Sequence, residues 1–201
     1  MDYRATGLFL VAAIGILGSP GPAIAALLAV GKAEGLKVGL RFFLGLQVGL
    51  AIAAGASTLG LTALLQTFPD ALRWMSIGAT IYLIYLAWRI ATSPVGTTGD
   101  ESCDPKLAAP ALYGVVLGLS NPKAYVAFAS LLAGYVLVAG HPGADGLLKW
   151  VLLLAVMIAV DILWLLAGVA LGQAVLPSRI ERALNYGLAT MILAASVLTL
   201  S

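Results

Sequence analysis

Four features could carry chemistry: Asp161, Lys123, Asn121 and the break Ser19-Pro20-Gly21-Pro22, each set inside a long apolar run. A carboxylate in hydrocarbon costs at least about 2.5–3.5 kcal/mol on insertion scales. Asp161 must therefore face other helices and have a partner or a water path. In that position it can trade a proton for a cationic group. The competing reading is a structural pair with Lys123, or a hydrogen bond to the backbone of a broken helix. Lys123 either neutralises a carboxylate or reaches the interface along its flexible stem. The amide of Asn121 suits backbone freed by Pro122 or a ligand. Gln47 and Ser57 fit packing or interhelical hydrogen bonds better. Trp164, one turn from Asp161, is placed to wall the same cavity.

These groups need elements to hold them. Each proline removes a helix hydrogen bond and clashes with the carbonyl a turn back, and the residue before it is pushed towards extended geometry. The first helix should break at Ser19-Pro20-Gly21-Pro22 and restart near Pro22, where a missing N–H is tolerated. A non-helical backbone at membrane depth survives only when buried in protein or lining a cavity. The restarted helix points unpaired N–H groups and a positive dipole end at the break, which suits an anion such as a carboxylate. An acid on a facing helix suits an ammonium. Together they describe a pocket for a zwitterion.

The composition makes the chain a membrane protein. It is 61% hydrophobic and 10% charged over 201 residues, against about 25% charged in soluble domains. Spanning a bilayer of about 30 Å takes about 20 residues. Six spans with short loops use nearly the whole chain: roughly 5–31, 42–65, 72–90, 108–139, 147–176 and 183–200. The loop between spans 4 and 5 takes in His141, Pro142, Gly143, Asp145 and Gly146, and Pro177 to Arg182 reads as a tight basic turn. The first span reads as retained and not as a signal peptide, because no small-residue cleavage site follows it. Cys103 stands alone, which excludes an intramolecular disulfide and a dithiol carrier. No basic tract suits nucleic acid, and no cofactor is expected.

Lysine and arginine set the orientation. Loops after spans 1, 3 and 5 hold seven (Lys32, Lys37, Arg41, Arg89, Lys106, Arg179 and Arg182); the opposite face holds three (Arg4, Arg73 and Lys149). The seven should face the cytoplasm and both termini the periplasm. The spacing Gly45-x-x-x-Gly49 allows close helix contact, and a glycine face on span 2 serves internal packing and a homodimer equally well.

The two breaks sit half a chain apart. Ser19-Pro20-Gly21-Pro22-Ala23 lies over Ser120-Asn121-Pro122-Lys123-Ala124 at an offset of 101. Each falls in the first span of a three-span half, and an odd number of spans makes the second half enter from the opposite face. The expected fold is an all-α polytopic protein of six transmembrane helices, built as two inverted three-helix repeats with broken first helices. The halves are 1–92 and 108–201, joined by a cytoplasmic linker at 93–107. This is the plan of many secondary transporters.

The chain resembles the LysE/RhtB translocators, exporters of lysine, homoserine, threonine and related amino acids. The resemblance rests on Ser19-Pro20-Gly21-Pro22 with Gly31, Gly35, Gly39, Gly45 and Gly49. It continues through Gly78-Ala79 with Tyr82, Tyr85 and Trp88, Asn121-Pro122-Lys123-Ala124, and Asp161-x-x-Trp164. It implies a six-span inner-membrane exporter of an amino acid, driven by the proton motive force. Carried over residue by residue, the substrate-binding candidates are Ser19, Pro20, Gly21, Pro22, Asn121, Pro122, Lys123 and Asp161, with Asp161 coupling the proton. Many members carry Asn directly after the Pro-Gly-Pro, where this chain has Ala23, so its substrate can differ from theirs. The main alternative is an exporter of a metal or other inorganic cation on a related fold. Such sites want clustered His, Cys or carboxylates, and this chain has one His in a loop, one Cys in the linker and one deep acid. An enzyme's nucleophile, base and metal set is not evident.

Overall fold

A computed structural model describes residues 1–19, 21–59, 110–174 and 177–198, with scattered positions between 77 and 92. Pro20, most of the third span and the 93–107 linker lie outside the described residues. Those described form α1 (Tyr3–Gly18), α2 (Pro22–Thr58), α3 (Pro110–Leu119), α4 (Pro122–Gly134), α5 (Pro142–Gln173) and α6 (Ser178–Leu198). By length and composition α2 and α5 can each cross a membrane, and α3 with α4 makes a third candidate span bent by 51°. Large side chains such as Val11 and Leu163, 71% and 65% exposed, are a liability in water and at home in lipid.

The start of α1 is fixed by Asp2, whose Oδ1 accepts from the N–H groups of Arg4 and Ala5. α1 ends at Ser19, which is extended, as is Gly21 (φ −168°, ψ −177°). α2 begins with Pro22 in its first turn and α4 with Pro122, the latter after an extended Asn121 (φ −83°, ψ 99°). Both breaks therefore fall where the prolines demand.

α2 is too long to be one straight span, since 37 residues would measure about 55 Å. Gly35 divides it. Its φ of 74° with ψ −174° lies in a region essentially reserved for glycine. Packing shows the change of direction. Leu28 lies on Gly168 and Lys32 on Gly172, so the stretch 22–34 runs with α5. Gly39 lies on Leu165 and Gly55 on Trp150, so 36–58 runs against it. The polar stretch 32–41 is thus two helix ends around Gly35 and not an open loop. Lysine, glutamate and leucine are good helix formers, so only the glycine interrupts.

Small residues let these helices touch through their backbones. A Cβ at Gly45 would strike the carbonyl of Ala111, and one at Gly118 would sit 2.8 Å from Leu46 O. The Gly45–Gly49 face is occupied by α3, within the chain, so a dimer would have to use another surface. Phe42, Leu46, Phe128, Leu153 and Leu165 fill the core around it, fully buried.

Two other expected boundaries shift. The segment 142–146 is the first turn of α5 and not part of a loop, with Pro142 at its start and Asp145 in its first turn. Asp145 accepts from the N–H groups of Leu137 and Val138 and pairs with Lys149 at 2.6 Å, while Lys149 also donates to Leu132 O. Likewise Ser178 to Arg182 belongs to α6 and is not a turn.

Candidate functional site

The two breaks meet. Lys123, the second residue of α4, turns inward and donates through Nζ to the Ser19 carbonyl and, at 2.8 Å, to the Ser19 hydroxyl. Its stem lies against Gly21, where a Cβ would come within 2.8 Å of Lys123 Cδ. Of the two readings for this lysine, reaching for the interface is not what the structure shows.

Asp161 faces the same place from α5. It is 5% exposed, and its Oδ2 accepts a hydrogen bond from Gln47 Nε2 at 2.8 Å. Lys123 is near enough to act on it electrostatically. Ser19, Gly21, Asn121, Lys123 and Asp161 line one small cavity. Pro22 is buried at the head of α2 and Pro122 half-buried at the head of α4. Neither helix start receives a side-chain cap, and their first-turn residues Ala23, Ile24, Lys123 and Ala124 also line the cavity. Two positive helix ends and a lysine therefore stand opposite one carboxylate.

The cavity measures about 30 Å³, enough to hold water. The remaining wall is hydrocarbon from Leu17, Leu50, Ala127 and Met157.

One sequence expectation is sharpened here and one changes. Gln47, expected to pack or to make an interhelical hydrogen bond, does the latter, donating to Asp161. Its polarity in a glycine-rich span was the available sign, but the partner on α5 could not be read from spacing. Trp164 does not wall this cavity. It lines a neighbouring groove of about 570 Å³ with Ile14, Gly15, Gly18, Val160, Leu163 and Ala167, which touches the central site only through Ser19.

Apolar helices broken around a buried carboxylate and a half-buried lysine fit a membrane transporter. The comparisons agree. The LysE type translocator family matches residues 14–201, and the chain belongs to that family; its members are transporters and not enzymes. Among similar proteins, the leucine efflux protein of Salmonella typhimurium is 27% identical over 140 residues, 68% of this chain and 66% of that protein's length. The cysteine/O-acetylserine efflux protein of the same organism is 27% identical over 157 residues, 75% of each chain. No solved structure matches.

Proposed function

We propose that this protein exports an amino acid across the inner membrane in exchange for protons, with substrate and proton competing for Asp161. The observation that carries the proposal is the meeting of both helix breaks with Asp161 around one cavity. The substrate carboxylate binds the uncapped starts of α2 and α4, where the helix dipoles favour an anion, and Lys123 adds its charge. The ammonium binds Asp161. When the substrate leaves, the carboxyl group takes a proton, so that a buried negative charge is never left without a cation.

Opposed helix directions support a two-repeat plan for alternating access. The start of α2 runs with α5, whereas α3 runs with 36–58 and so against α5, the opposition that inverted repeats of three helices need. Lys32, at the reversal of α2, donates to Asn185 of α6, and Glu181 lies near enough to act on its charge. This gathers Lys32, Lys37, Arg41, Arg179 and Arg182 at one end, which is assigned to the cytoplasm by the lysine and arginine excess; both termini then face the periplasm. The efflux activities named for the two Salmonella proteins support the amino-acid reading. The described residues contain no group of three His, Cys, Asp or Glu suited to a metal ion, and nothing in the site favours an inorganic cation.

Proton exchange is tested in proteoliposomes loaded with leucine and a pH-sensitive dye. Outward leucine flow should draw protons inward and acidify the lumen. Leucine leaving with no lumenal pH change beyond empty liposomes would rule out antiport.

A further inference from the structure

Two buried acceptor oxygens near the site have no hydrogen-bond partner: Asn121 Oδ1 and Gln47 Oε1. Asn121 is 5% exposed and lines the cavity; Gln47 is 9% exposed and holds Asp161 through the nitrogen of the same amide. Orphaned acceptors of this kind are rare in folded proteins and call for an explanation. A primary ammonium carries three donors and no acceptor. Asp161 carries the matching charge, Asn121 Oδ1 is an open acceptor on a residue of the cavity wall, and Gln47 Oε1 is another on the residue that holds Asp161.

The rest of the wall limits what else the cargo can carry. The cavity holds one carboxylate, Asp161, and one side-chain cation, Lys123, and its other large side chains are Leu17, Ile24, Leu50 and Met157. The charged groups of a zwitterion use both. A third charge on the cargo would face hydrocarbon without a partner, which strongly disfavours burial.

We propose that the site selects amino acids with an uncharged aliphatic side chain: Gln47 and Asn121 share the substrate ammonium with Asp161, and Met157 bounds the side-chain seat. This rests on the amino-acid exporter reading and narrows it.

The test uses inverted membrane vesicles carrying the full chain, an imposed pH gradient and labelled leucine, lysine and glutamate offered separately. Leucine uptake should exceed lysine and glutamate uptake by at least about tenfold, and unlabelled valine and methionine should compete with it. Lysine or glutamate taken up as well as leucine would overturn the selectivity while leaving the exporter reading intact. Uptake of no amino acid would overturn both. Met157→Ala enlarges the seat and should move the phenylalanine-to-leucine ratio upward by about tenfold, the scale on which apolar pockets discriminate. An unchanged ratio in a variant that still transports leucine would remove Met157 from the seat.

Discussion

Gln47 and Asp161, 114 positions apart, share a 2.8 Å hydrogen bond in the interior of the helix bundle. It joins α2 to α5 beside the cavity where both helix breaks meet. A hydrogen bond to a charged group contributes about 1.5–3 kcal/mol. Gln47→Leu should therefore raise the KM for substrate about tenfold or more, with kcat less affected, because the carboxylate loses its orientation. Unchanged KM in a folded Gln47→Leu protein would show that the amide does not position Asp161.

The glycines where backbones touch should be sensitive, and the open ones should not. A Cβ at Gly45 meets the backbone of Ala111, whereas one at Gly134 meets nothing within 4 Å. Overpacking typically costs about 1–3 kcal/mol, and here backbone must move. Gly45→Ala should lower the melting temperature in detergent clearly, and Gly134→Ala should leave it nearly unchanged. Equal melting temperatures would mean that α2 and α3 are not packed this closely.

Asp145 and Lys149 form a second buried pair, 9% and 5% exposed, that fastens the 135–141 connection to the head of α5. Removing one member leaves the other charge uncompensated, at a cost of about 3–5 kcal/mol, whereas replacing both with apolar residues is often neutral. Asp145→Leu alone should thus destabilise the protein more than Asp145→Leu with Lys149→Met. Thermal unfolding of the singles and the double measures this directly; a double variant as unstable as the sum of the singles would contradict a coupled pair.

The two breaks and the deep acid were legible in the sequence, because proline geometry and the cost of a carboxylate in hydrocarbon act locally. Ser19, Asn121, Lys123 and Asp161 reach one cavity as that reasoning expects. Gln47 was not legible as a site residue, since its contact depends on how 36–58 runs against α5. The helical stretch from Lys32 to Arg41 looked like a loop because its charges masked good helix formers, and one glycine at positive φ makes the turn. Pro142 and Gly143 read as turn residues, although proline in a first turn with Asp145 following it is equally a helix start. Trp164, three residues from Asp161, is rotated about the helix by enough to line the next groove.

The most direct measurement is uptake of labelled leucine into inverted vesicles with and without a pH gradient, for the native chain and for Asp161→Asn at matched protein levels. Gradient-dependent uptake that Asp161→Asn loses, in protein that still folds, is the predicted result. Gradient-driven uptake undiminished in Asp161→Asn would contradict a coupling role for Asp161 and with it the proposed mechanism.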